Sequence, residues 1–106
     1  MHVKHVNVGY RQRQLLAYLV EQERASRLVN GLVEYLKAIG VTPLQGPKAS
    51  NYYGLVRALH QRKFLRTVRV PGFQWKRIEL TELGRKWGVR ALEDSDVHKP
   101  WRMKAA

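Results

Sequence analysis

The sequence predicts a small, mainly helical α+β domain with the order helix, helix, helix, strand, strand, helix. Three observations carry this reading. Apolar residues recur at helical spacing through much of the first sixty positions, a β-branched alternating stretch turns back at Pro71-Gly72, and Thr81-Glu82 opens one more helical stripe.

Residues 1–9 alternate loosely, with Val6 and Val8 on one side, and read as a short N-terminal strand or an extended arm. Over 10–23, Leu15, Leu16, Leu19 and Val20 form the stripe of an amphipathic first helix, which leaves Arg11, Arg13, Glu21 and Gln22 for solvent. The stripe returns in Leu28, Val29, Leu32, Val33 and Leu36, so a second helix is expected from Arg24 or Ser26 to Ile39, with Gly40 ending it in the left-handed conformation. Two prolines and Gly46 in the next eight residues mark a loop.

Ser50 suits an N-cap, and Tyr52, Leu55, Val56 and Leu59 follow at helical spacing, which predicts a third helix over 50–62. The stretch 64–80 reads as a hairpin with basic residues along both arms; a two-residue turn at Pro71-Gly72 sets Val70 opposite Phe73 and Val68 opposite Trp75. Thr81 caps the fourth helix, Glu82 suits its positive end, and Leu83, Trp87 and Ala91 line its inner face. The domain is expected to occupy 1–93, with 94–106 a flexible tail unless Trp101 docks on the body.

The chain has 106 residues, enough for one ordinary core, and carries 44% hydrophobic and 26% charged residues, a globular composition. It lacks cysteine, which excludes disulfides, thiol nucleophiles and cysteine-ligated metal. No apolar run reaches the roughly 20 residues of a membrane span. A cytoplasmic protein with no membrane partner is expected.

Twenty Lys and Arg against eight Asp and Glu give a net charge of +12. Both ends of the chain are nearly balanced, whereas the block 35–78 holds nine basic residues and no acid. A solvated surface usually mixes the two signs, so this block points to a polyanion as partner. It covers the third helix and the hairpin. An α-helix fits the DNA major groove, and an adjacent basic hairpin reaches flanking phosphates.

The segment Ser50-Asn51-Tyr52-Tyr53-Gly54-Leu55-Val56-Arg57-Ala58-Leu59, then Phe64-Leu65-Arg66 and Ile78-Glu79-Leu80-Thr81-Glu82-Leu83-Gly84-Arg85, resembles the recognition helix, wing and wing exit of MarR-type and PadR-type winged-helix regulators. The resemblance covers about 36 residues, and the preceding helices agree in order only. It implies a winged helix-turn-helix that binds operator DNA, usually as a homodimer. Two features depart from the family. The loop from Gly40 to Ala49 is longer than its tight turn, and Lys63 stands where a glycine is usual, so the end of the third helix is expected to differ.

With Tyr52, Leu55, Val56 and Leu59 inward, Asn51, Tyr53, Gly54, Arg57 and Gln61 face outward as candidate base contacts. Asn pairs bidentately with adenine and Arg with guanine, while Gly54 permits close approach. Lys48, Ser50, Arg62, Arg66, Arg69, Lys76 and Arg77 are candidate phosphate contacts, which give affinity and salt dependence without sequence information. Val68, Val70, Phe73 and Trp75 share one hairpin face, read either as packed on the N-terminal segment or as a partner surface or a tip that contacts DNA.

Catalytic chemistry finds little support. His2, His5, His60 and His98 are scattered, the eight acidic residues fit helix surfaces, caps and tail, and no phosphate-binding glycine loop or metalloprotease pattern occurs. No enzyme activity, metal or cofactor is expected. The leading expectation is a sequence-specific double-stranded DNA-binding regulator, repressor-like in action. The alternative is an interaction module that holds RNA or a protein partner in a larger assembly.

Overall fold

A computed structural model describes residues 8–29, 31–69, 71, 72 and 76–105. The elements are α1 (Tyr10–Arg24), α2 (Leu32–Ile39), α3 (Pro47–Gln61), β1 (Leu65–Arg69), β2 (Lys76–Leu80), α4 (Glu82–Glu93) and a 3₁₀ turn at Pro100–Ala105. The protein is thus α+β and mainly helical, with a two-stranded antiparallel sheet, in the predicted order. Seven of the nine residues in 1–9, the expected N-terminal strand, lie outside the described residues.

Helix α1 is the centre of the body. Gln14, Leu15, Leu16, Ala17, Tyr18, Leu19 and Val20 are all buried, so this helix is covered on every side rather than along one stripe. Helix α4 packs closely against it. The inner face of α4 is Gly84, Gly88 and Ala91, not the expected Leu83, Trp87 and Ala91: Leu83 is 44% exposed and Trp87 half-buried. The reason is the close approach of the two backbones, because a Cβ on Gly88 would stand 2.8 Å from the Leu16 carbonyl oxygen.

Helix α2 is shorter than its stripe suggested. Leu28 and Val29 are non-helical and lie between α1 and α2, where Ser26 (φ 59°) and Gly31 (φ 122°) both hold positive φ. Ile78 N–H donates to Val29 O at 2.9 Å, so Val29 is buried as a one-residue third strand beside β2, while Leu28 is 61% exposed. A sheet bond to distant chain has here overridden local periodicity. Gly40 ends α2 at φ 80°, as expected.

Helix α3 begins one turn before the expected cap. Gly46 precedes it and Pro47 takes its first turn, where a missing N–H costs nothing; Ser50 instead donates its own N–H to Gly46 O at 3.1 Å. Leu59 and Ala49 are buried, and Tyr52, Leu55 and Val56 are half-buried. The helix ends as glycine-terminated helices do, with no change of form: Lys63 N–H donates to His60 O at 3.0 Å and Phe64 N–H to Leu59 O at 2.9 Å. Lys63 itself adopts φ 67°, the left-handed conformation that favours glycine.

The hairpin register differs by two residues from the one a two-residue turn sets. Leu65 pairs with Leu80, Thr67 with Ile78, Val68 with Arg77 and Arg69 with Lys76. Register is pinned at the base, where Leu65, Leu80 and Ile78 are buried and Thr81 N–H donates to Phe64 O at 3.1 Å. Thr81 caps α4 as expected, accepting from Gly84 N–H at 3.0 Å, and its hydroxyl donates to Lys63 O at 2.6 Å.

The boundary drawn at Glu93 does not end the packed body. Val97 and Trp101 are buried, and Trp101 packs edge-on to Tyr18 with ring centroids 5.4 Å apart while its Nε1 donates to Glu21 at 2.7 Å. The segment 94–102 is therefore anchored on the body through Val97 and Trp101, because an isolated tryptophan found an aromatic pocket made by α1 and Tyr35 of α2. Burial pushes the Tyr35 hydroxyl above the ordinary tyrosine range.

Candidate nucleic-acid interface

Helix α3 contains no acidic residue, and its buried side, Ala49, Tyr52, Val56 and Leu59, turns the opposite side to solvent. Asn51, Tyr53, Gly54, Arg57 and Gln61 are all exposed, as are Lys48 and Ser50. At about 100° per residue, Ser50, Gly54, Arg57 and Gln61 form one outward ridge, and Asn51 and Tyr53 lie on its two flanks. His60, which sequence reasoning left out of the site, is exposed on the same flank as Tyr53, about two turns further along. Nothing stands within 4 Å of a Cβ built on Gly54, so the absence of a side chain there leaves open space over the helix.

The hairpin carries the expected cations differently from one another. Arg69 on β1 is exposed, as is Arg62 at the C-terminal end of α3. Arg66 and Arg77 share a single carboxylate: Arg66 Nη2 lies 3.1 Å from Glu79 Oε1, and Arg77 Nε donates to Glu79 Oε2 at 3.0 Å. Glu79 is the first residue after the acid-free block, and the ladder sets it directly opposite Arg66. One carboxylate, paired across the ladder with Arg66 and along β2 with Arg77, thus half-neutralises two of the seven candidate phosphate contacts. Lys76 pairs with Arg69 through the backbone ladder.

Of the four residues of the expected apolar hairpin face, only Val68 is described. Val68 is half-buried and stands opposite Arg77, not Trp75, and its face also holds Arg66 and Glu79. Val70, Phe73 and Trp75 lie outside the described residues.

Two concave regions adjoin these elements. One, of about 510 Å³, runs beside the hairpin and is lined by Leu28, Arg27, Arg66, Glu79, Glu23 and Arg85 among others. Its guanidiniums are largely spoken for, since Arg85 clamps Glu23 through two bonds of 2.7 and 2.8 Å. This pairing holds the Glu23 carboxyl below the ordinary glutamate range, with burial opposing it. The second, of about 260 Å³, opens between the end of α2 and the start of α3 and is lined by Arg11, Ile39, Gly40, Val41, Lys48, Asn51 and Tyr52. Arg11, from the first turn of α1, joins the basic surface only through tertiary packing.

Among the described residues, no three His, Asp or Glu side chains converge as a metal site would require, and no helix is long and apolar enough to cross a membrane. In comparisons with known proteins, the chain matches no family model, no curated protein and no solved structure.

Proposed function

We propose that this protein is a winged helix-turn-helix module that binds double-stranded DNA sequence-specifically, as a regulator of transcription, with α3 in the major groove and the β1–β2 hairpin as its wing. The observation that carries the reading is the outward ridge of α3, where Ser50, Gly54, Arg57 and Gln61 are exposed on a helix free of acidic residues. A helix of that diameter fits the major groove, and Arg57 is the residue placed to take guanine O6 and N7, worth about 1–3 kcal/mol of discrimination. The one-residue strand at Val29 supports the reading further, because it ties the hairpin to the link before α2 and so holds the hairpin in a set relation to the helices.

Lys48, Ser50, Arg62 and Arg69 supply backbone contacts in this reading, and Arg66 and Arg77 do so only after competing with Glu79. Two copies on a palindromic site one helical turn apart would present two α3 helices to successive major grooves. A second reading has one observation in its favour: Tyr53 is 46% exposed on α3, and an exposed ring stacks on unpaired bases. In that case the partner is RNA within a larger assembly.

Fluorescence anisotropy against duplex DNA fragments, single-stranded DNA and duplex RNA, across a salt series, separates the two. The DNA reading expects one duplex to be preferred near physiological salt and Arg57→Ala to abolish the preference. Equal binding to all three polyanions that vanishes with salt rejects it, and a preference for RNA transfers the site to the second reading.

A further inference from the structure

The pocket between α2 and α3 gathers groups from two helices that the basic block of the sequence did not join. Arg11 comes from the first turn of α1, and Lys48 and Asn51 come from the first turns of α3. The Arg11 guanidinium carbon lies 5.6 Å from the centroid of the Tyr52 ring, a cation–π contact that holds the long side chain at the rim of the pocket. The lining contains no carboxylate. Neither Arg11 nor Lys48 takes part in an ion pair among the described residues, in contrast to Arg66, Arg77, Arg85 and Arg102. Two uncompensated cations on one small concavity repel each other, and an anion between them removes that cost.

We propose that this pocket seats a backbone phosphate of the nucleic acid, with Arg11 and Lys48 as its charge partners and the Asn51 amide as a neutral donor. The inference rests on the nucleic-acid reading above and changes one assignment within it. Asn51 and Arg57 are six residues apart, about 120° around the helix, so they do not address the same groove floor. Arg57 stays on the outward ridge, whereas Asn51 lines the pocket and becomes a positioning residue. The consequence is a bracketed helix: α3, about 22 Å long at 1.5 Å per residue, has a phosphate seat at its N-terminal end and the basic hairpin leaving its C-terminal end. Register on the duplex is then set at both ends.

The test measures binding of several 20-base-pair duplexes of different sequence over a potassium chloride series, for wild type, Arg11→Ala, Arg11→Lys, Lys48→Ala and Asn51→Ala. Lys86→Ala, an exposed cation on α4, serves as control, and circular dichroism verifies that each variant is folded. A phosphate seat predicts that Arg11→Ala and Lys48→Ala each reduce the slope of log K against log salt by about one and weaken every duplex by the same factor. Arg11→Lys retains the slope, Asn51→Ala weakens all sequences equally, and Lys86→Ala changes nothing. An unchanged slope in Arg11→Ala with a binding wild type overturns the proposal, as does an altered sequence preference in Asn51→Ala for the role given to that residue. If wild type binds no duplex, the regulator reading falls by itself, and inorganic phosphate titrated against the Asn51 side-chain amide resonance decides the pocket. A saturating shift that Arg11→Ala removes keeps the anion seat, and no shift rejects it.

Discussion

Arg66 and Glu79 face each other directly across the hairpin, with Arg66 Nη2 3.1 Å from Glu79 Oε1. The same carboxylate also holds Arg77. Glu79→Gln is therefore expected to tighten nucleic-acid binding several-fold at low salt and to steepen its salt dependence, since two guanidiniums gain access to phosphates. The pair is partly exposed, so the cost in stability stays within about 1 kcal/mol. Binding isotherms at two salt concentrations test this, and an unchanged affinity removes the hairpin face from the interface.

Gly54 separates stability from function. Open space surrounds its Cβ position, so Gly54→Ala should stabilise α3 by up to about 1 kcal/mol through helix propensity alone. If the helix approaches a groove closely at this point, the same methyl weakens DNA binding. A variant that melts higher and binds less tightly is the expected result, measured by thermal denaturation and anisotropy on one sample.

Gly84 has the opposite environment. A Cβ there would overlap the carbonyl oxygen of Phe64, a backbone atom that cannot swing aside. Gly84→Ala is expected to destabilise by about 1–3 kcal/mol or more, because α4 must move away from the base of the hairpin. Urea denaturation of the two alanine variants should move the midpoints in opposite directions.

Trp101 ties the C-terminal segment to α1 and α2. Its ring contacts Tyr18 and Tyr35, and its indole N–H donates to Glu21 at 2.7 Å. Trp101→Ala should cost about 3–5 kcal/mol as a large buried side chain is removed. Trp101→Phe, which keeps much of the ring but loses the bond to Glu21, should cost less. Chemical denaturation followed by far-UV circular dichroism ranks the two.

Glu23 gives the protein one predictable pH response. The bond from Arg85 lowers its carboxyl below the ordinary value, so this pair contributes stability above the ordinary glutamate range and loses it as pH falls through the lowered value. Wild type should exceed Glu23→Gln in melting temperature at pH 7, and the two should converge in acid. Both side chains are more than two-fifths exposed, which limits the neutral-pH difference to about 0.2–1 kcal/mol.

The element order, the Thr81 cap, the Gly40 terminus and the exposure of Asn51, Tyr53, Gly54, Arg57 and Gln61 were all legible in the chain, because each depends on residues within about one or two helical turns. Periodicity, capping and turn chemistry act at that range. What lay beyond it belonged to pairs distant in sequence. Val29 left its helical stripe for a bond to Ile78, the register followed buried Leu65 and Leu80 instead of the turn at Pro71-Gly72, and the glycine face of α4 met backbone that no local pattern announces. The charge balance divides in the same way. The sequence by itself determined where the cations are dense, while only tertiary packing decided which are neutralised, by placing Glu79 between two arginines, and which unexpected one joins them, by bringing Arg11 to Lys48. Electrostatic interactions depend on separation in space, and separation along the chain does not fix it.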